Sequence, residues 1–421
     1  MIADEPERVP LRPQAALQTA AKSPALAAPN VPNADNGGVP NKPAPDTRKP
    51  ARPAFEQGQL VIFWKDRGQA ALGKQVLDVE FKLKPSAENV LNHLGGVLVT
   101  FKLPNHADAI KLKAQLQARF PDWQMDFNSH YRPQGEDSAA TTRPRQYVLQ
   151  KIGLAAADNS SARPLHIGMV DTNVATDGAL RGMHIERRSF LGLADRPAPP
   201  RHGTALAALM AGADERNGFR GLAPGIKLFA AAIMRQQGEE SGTTTEMLVR
   251  ALDWLLGEGV RVINLSLGGS GDAVMESAIQ KVLARNVVIV AAAGNFGPEA
   301  GPSYPAAYPG VIAVTASDAL DRVMPNANQG HYITLTAPGV DVWAPDAGGG
   351  RYHTGTSFSA AIVTGAIALL LSEQTQLSGQ AVTAQLCSQA RDLGIPGRDP
   401  VFGCGLLQLP ETTLRSAKAR G

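Results

Sequence analysis

The sequence predicts an α/β protein: a mostly parallel sheet with helices on both faces over residues 161–421, preceded by a small α+β module over 58–133. Two observations carry the larger assignment. From about residue 161 onward, short apolar runs alternate with segments of helical periodicity. Those runs are apolar almost without interruption, as expected for strands covered on both faces. A third observation, strand and helix patterns mixed within about 75 residues, gives the smaller module.

The chain has 421 residues, so more than one domain is expected, and a large core is affordable in at least one of them. Hydrophobic residues make up 43% and charged residues 19%, which excludes disorder throughout. A formal net charge of +3 is too small to argue for nucleic acid or an anionic membrane as partner. The longest apolar run, Ala360 to Leu371, has the length of a core helix rather than a transmembrane segment. The start, Met1 to Pro6, shows neither a basic region nor an apolar stretch of the kind a signal peptide needs.

Taken in order, residues 1–57 hold about a third of the 31 prolines and read as a disordered Pro/Ala-rich arm. In the module, Gln59 to Trp64 and Val97 to Phe101 read as strands, and Val76 to Leu83 contains alternating positions. Ser86 to Leu94 reads as a short helix capped by Ser86. Ala107 to Phe120 carries Ala109, Leu112, Leu116 and Phe120 at helical spacing, and Trp123 to Tyr131 is extended. Residues 134–160 are polar and irregular, an exposed joint open to proteolysis. Beyond them, strands are predicted at Leu165–Val170, Ile226–Ile233, Val260–Leu265, Val287–Ala292 and Val311–Thr315. Helices are predicted at His202–Ala211, Glu246–Leu256, Asp272–Arg285, Ser357–Leu371 and Ala381–Ala390.

Ligands on such sheets bind beyond the carboxyl ends of the strands. Four side chains of acyl-transfer chemistry lie at strand ends or helix starts. Asp171 follows Ile167-Gly168-Met169-Val170. His202 opens a helix in Arg201-His202-Gly203-Thr204. Asn295 follows Ala291-Ala292-Ala293-Gly294. Ser357 stands in Gly355-Thr356-Ser357-Phe358-Ser359 at the head of the longest apolar run. A serine hydroxyl needs a base within reach, an imidazole suits that role, and a buried carboxylate fixes its tautomer. An amide beside them can donate to the oxyanion. Singly each has a bland reading: Ser357 as a helix cap, His202 as a helix entry, Asp171 and Asn295 as turn residues. Their joint placement in one α/β segment is harder to explain that way.

The order Asp…His…Ser and six stretches together resemble the subtilisin-like serine protease family (subtilases, peptidase family S8) over about 160–410. The stretches are Val170-Asp171-Thr172, His202-Gly203-Thr204, Val262 to Gly268, Ala292-Ala293-Gly294-Asn295, Tyr304-Pro305-Ala306 and Gly355-Thr356-Ser357. The resemblance implies a serine endopeptidase acting through an acyl-enzyme. Ser357 would be the nucleophile, His202 the base, Asp171 its orienter, and Asn295 the oxyanion donor with the Ser357 N–H. Ser266-Leu267-Gly268 would pair with substrate backbone. Ala292, Ala293 and Gly294 would wall a roomy pocket for a large apolar residue before the cut. Tyr304-Pro305 would form a cis turn beneath that pocket. Two departures are Asn173, where the family usually has glycine and where Asn tolerates a left-handed backbone, and Ala361, where proline is usual.

The same resemblance makes 58–133 a ferredoxin-like prodomain, with Asn128 to Pro133 as an inhibitory tail in the cleft and self-cleavage between about 132 and 160. The expected partners are thus a polypeptide substrate and the chain's own prodomain, in a zymogen that is periplasmic or secreted. No cofactor and no metal are expected. Asp318, Asp321, Asp341 and Asp346 lack an EF-hand spacing and read as solvated loop carboxylates, although many family members bind structural calcium. Cys387 and Cys404 either form a disulfide or remain two buried thiols, and no Cys/His spacing argues for zinc. The competing reading is a catalytically silent subtilisin fold used for binding.

Overall fold

A computed structural model describes residues 54–103, 106–137, 147–154, 164–214 and 218–409. The module runs β1 (Phe55–Trp64), α1 (Arg67–Phe81), β2 (Pro85–Leu91), β3 (Gly96–Lys102), α2 (His106–Arg119) and β4 (Gln124–Pro133). Its strands are antiparallel in the order β4-β1-β3-β2, the ferredoxin-like arrangement of a βαββαβ chain. The core between sheet and helices is Leu60, Ile62, Trp64, Leu77, Val99, Phe101, Leu116 and Met125. Residues 1–53 of the expected arm lie outside the described residues, and Phe55 to Gln57 already belong to β1.

Two assignments within the module are corrected. Val76 to Phe81 is the last part of α1, whose buried positions Ala70, Gly73 and Leu77 recur every three or four residues. Asp66 caps it, accepting from the Gln69 N–H at 2.8 Å. A Cβ on Gly73 would lie 2.5 Å from the Trp64 ring, so glycine lets the helix rest on β1. Ser86 caps no helix. It lies in β2, and its hydroxyl donates to the Thr100 carbonyl at 3.0 Å across the β2–β3 pair.

After the module come β5 (Glu136–Asp137), α3 (Tyr147–Lys151), β6 (His166–Asp171), β7 (Ile185–Ser189), α4 (Arg201–Ala211), the short pair β8 (Ala213–Asp214) and β9 (Phe219–Arg220), and β10 (Lys227–Ala232). Next are β11 (Arg235–Gln237), β12 (Glu240–Thr244), α5 (Thr245–Gly257), β13 (Val262–Leu265), β14 (Leu267–Gly269), α6 (Ala273–Leu283), β15 (Val288–Ala292) and β16 (Ile312–Ser317). The chain ends with β17 (Leu335–Pro338), β18 (Val342–Asp346), β19 (Gly349–Thr354), α7 (Thr356–Glu373) and α8 (Gly379–Gln389). Seven strands form a parallel sheet in the order β17-β16-β15-β13-β6-β10-β7. One face packs on α4 and α7, the other on α5 and α6. Helix α7 is buried from Thr356 to Ser372. It is long and apolar enough to cross a membrane by composition, yet 94% of it lies inside the fold.

The exposed joint expected at 134–160 is not uniform. Gln134 is buried, and Tyr147, Val148, Leu149, Ile152 and Leu154 join the core beneath α7. Residues 138–146 and 155–160 lie outside the described residues. Three of the four aspartates read as solvated loop carboxylates are instead tied down. Asp318 bonds Arg322, Asp321 bonds Lys151 and Arg391, and the buried Asp346 bonds Arg351. Cys387 and Cys404 are joined in a disulfide. The Tyr304–Pro305 peptide is cis. Asn173 is not among the residues with positive φ, so its position makes no demand for glycine.

Candidate active site

Two strand ends and two helix starts carry the predicted groups. Asp171 ends β6 and is fully buried. Its Oδ1 accepts from His202 Nδ1 at 2.8 Å and from the Thr172 N–H at 2.7 Å, and its Oδ2 lies 3.0 Å from the same Nδ1. A carboxylate facing Nδ1 places the proton there and leaves Nε2 as the free base. His202 is the second residue of α4. Gly203 lets that helix sit close, since a Cβ there would fall 2.7 Å from the Thr172 carbonyl. The imidazole meets the Phe358 ring edge-on at 5.5 Å, and its Nε2 is buried without a hydrogen-bond partner.

Ser357 is the second residue of α7, behind Gly355 at φ 153°. Its hydroxyl donates to the Ser266 carbonyl at 3.0 Å rather than to His202. Ser266 returns a bond from its own hydroxyl to the Ser357 carbonyl at 3.0 Å, and Asn264 braces it at 2.8 Å. Asn295 follows β15, and its side-chain oxygen accepts from the Thr356 N–H at 3.1 Å and the Thr356 hydroxyl at 2.8 Å. That pairing fixes the amide, and its Nδ2 lies 3.0 Å from where a Cβ on Gly355 would sit.

The cleft is filled by the chain itself. The end of β4 lies between two strands, pairing Thr243 and Thr244 of β12 on one side and β14 on the other. Leu267 faces Pro133, Gly268 faces Arg132 and Gly269 faces Tyr131. The Gln134 N–H donates to the Ser266 carbonyl at 3.2 Å. The carbonyl of Gln134 accepts from the Ser357 N–H at 2.9 Å. On Gly135, the next residue, a Cβ would lie 3.0 Å from His202 Nε2. Beyond it, β5 pairs with β19.

The side chain of Gln134 is held by polar partners. Gln134 is buried, its Oε1 accepting from the Asn295 N–H at 3.0 Å and its Nε2 donating to the Arg132 carbonyl at 3.1 Å. A Cβ on Gly268 would lie 3.0 Å from that Nε2, so glycine makes the wall. Ala292 and Ala293 are fully buried at the end of β15, and Gly294 has φ 113° with the Asn328 side chain against it. Sequence reasoning missed Gln134 and Gly135, which sit in a polar stretch without motif. The available signal was their place directly after the expected tail. It also missed Asp272, read only as a helix start.

The family model for the subtilases matches residues 167–405, more than half of the chain. Subtilisin DY of Bacillus licheniformis is 34% identical over 265 residues, covering 61% of this chain and 94% of that protein. The minor extracellular protease Epr of Bacillus subtilis is 30% identical over 222 residues, covering 52% of this chain and 34% of that protein. Among solved structures, fervidolysin of Fervidobacterium pennivorans, a keratinolytic enzyme related to subtilisin, shares the fold with a TM-score of 0.71 at 21% identity. That likeness covers 87% of this chain and 62% of fervidolysin. The chain belongs to the subtilase family and is a serine endopeptidase.

Proposed function

We propose that Asp171, His202 and Ser357 form the catalytic triad, and that the chain is made as a zymogen that cuts its own Gln134–Gly135 bond. One observation carries this reading: the Gln134 carbonyl lies on the Ser357 N–H while Gly135 lies against His202 Nε2. The reading requires the Ser357 hydroxyl to turn from Ser266 to His202. Its oxygen then attacks the Gln134 carbonyl carbon as Nε2 takes the proton. The oxyanion forms between the Ser357 N–H and the Asn295 amide, at the head of a helix whose dipole favours negative charge. Nε2 returns the proton to the nitrogen of Gly135, and water resolves the acyl-enzyme.

On this reading the module is an intramolecular inhibitor, because β4 keeps both ladders after the bond is cut. Its hold extends beyond the strand. Glu246 accepts from Asn89 and Thr100, and Asp253 accepts from the His93 and Leu94 N–H groups at the ends of α5. An extracellular or periplasmic destination agrees with the disulfide and with the extracellular relative. The test is expression of the full chain beside Ser357→Ala, with N-terminal sequencing and a serine-directed fluorophosphonate label. A new N-terminus at Gly135 and a label in the wild type alone are expected. Equal processing of purified Ser357→Ala, or a cut elsewhere, overturns the reading.

A further inference from the structure

Tyr131 stands three residues before Gln134 and is the bulkiest fully buried side chain among the described residues. Two features around it are built for a phenol. The first is room: a Cβ on Gly269, its partner in the ladder, would lie 2.8 Å from the ring carbon Cδ1, so glycine there leaves space for a ring. The second is an acceptor. The hydroxyl of Tyr131 donates to Asp272 Oδ2 at 2.8 Å, and Asp272 is only 5% exposed.

Capping does not account for both oxygens of Asp272. Its Oδ1 accepts from the Met275 N–H at 2.7 Å and so closes the first turn of α6. Its Oδ2 is turned the other way, toward the Thr245 hydroxyl at 2.7 Å and the Tyr131 hydroxyl. The backbone of Asp272 is held on both sides by Tyr308, whose hydroxyl accepts from its N–H and donates to its carbonyl, each at 2.9 Å. The Tyr308 ring in turn packs on Tyr304 at 4.6 Å between centroids. The carboxylate is therefore fixed in place before any ligand arrives. Burial pushes its carboxyl upward against the pull of its donors, and burial followed by the Asp272 charge keeps the Tyr131 phenol protonated as the donor.

We propose that Asp272 is a specificity-determining residue of the cleft, and that it selects polypeptides carrying tyrosine four residues before the cut bond. The proposal rests on the reading of Gln134–Gly135 as that bond. Phenylalanine would fill the same space but leave Oδ2 one donor short and shut away from water. A site built to bond a hydroxyl discriminates strongly against the analogue that lacks it, because a buried polar group is left without its partner.

The test uses the processed enzyme and quenched peptides spanning the sequence of residues 128–137, with tyrosine, phenylalanine or arginine at the position of Tyr131. The expected result is a kcat/KM for the tyrosine peptide at least about tenfold above that of the phenylalanine peptide. Asp272→Ser keeps a helix cap but withdraws the second oxygen, and it should bring that ratio close to one. If the variant does not fold, the three peptides on the wild-type enzyme still decide. Equal rates for tyrosine and phenylalanine, or a preference for arginine, with processing at Gly135 intact, overturn this proposal alone. A processed N-terminus away from Gly135 removes the reading beneath it.

Discussion

Gly135→Ala should slow self-cleavage while sparing the processed enzyme. A Cβ at this position would lie 2.6 Å from Phe358 Cε2, 3.0 Å from His202 Nε2 and 3.2 Å from Phe358 Cζ. Carbon atoms prefer separations of roughly 3.5–4.0 Å, so the closest contact is about an ångström too short. Phe358 has little room to retreat. Its ring is buried and stacked on His353 at 4.8 Å. Relief must come from moving Gly135 away from the imidazole or from turning the imidazole itself, and either separates the base from the bond it serves. Overpacking of this kind costs about 1–3 kcal/mol, which corresponds to self-cleavage slower by about 5- to 150-fold. Once cut, residue 135 is an amino terminus outside the cleft, so kcat/KM on a peptide substrate should stay within about twofold of wild type. The assay follows loss of the full chain over time by mass spectrometry at two protein concentrations, an intramolecular cut giving one rate at both. Processing of Gly135→Ala at the wild-type rate with the wild-type N-terminus would refute the reasoning.

Asp171→Asn should preserve the melting curve yet lower kcat by about 10⁴-fold, because an amide cannot hold His202 in the tautomer that leaves Nε2 free. A loss below tenfold would count against the orienting role. The rate should also carry an acidic limb, since a protonated His202 cannot serve as base, and a flat profile on the acid side would contradict that. The carboxyl of Glu56 is held down to about 2, chiefly by the His130 ring and further by Arg235, against an opposing push from burial. A depressed carboxyl stabilises above its unfolded value of 4.5 and loses that contribution as pH falls through 2. In the uncut Ser357→Ala chain, Glu56→Gln should therefore lower Tm at pH 5 and have a much smaller effect near pH 2, and an equal effect at both pH values would dismiss the ion pair as its cause. Reducing Cys387–Cys404, which are 17 residues apart, should cost about 3 kcal/mol, or about 6–12 °C in Tm, with activity at low temperature retained. An unchanged melting curve would show that the loop is held by its packing instead.

The central strands were legible because they are buried on both faces and largely apolar, as in Val288 to Ala292, whereas the exposed, charged edge strand β7 carries no such run. The proposed triad was legible because its members stand where such strands stop or where the following helices start. The module was harder. Val76 to Leu83 alternates like a strand, but Val79 is exposed at 61% and the contact face is set by the small residues Ala70 and Gly73, which carry little apolar signal. Ser86 looks like a cap in isolation, and only the register with Thr100 reveals an edge strand. Gln134 and Asp272 could not be read locally. The first matters because a distant N–H binds its carbonyl, and the second because its spare oxygen meets a side chain 141 positions away.

Strand β4 has two allegiances. Its first half completes the sheet of the small module through β1, and its second half is a guest between β12 and β14. Vacating the groove therefore means either withdrawing an intact folded body or letting that body come apart, since a lone broken peptide link undoes neither ladder. On the proposed reading, the interval between the cut and an open groove is governed by how durable the small body is. Substitutions in its private core, at Leu77 or Leu116 for example, should reset that clock without touching a single group that performs the chemistry.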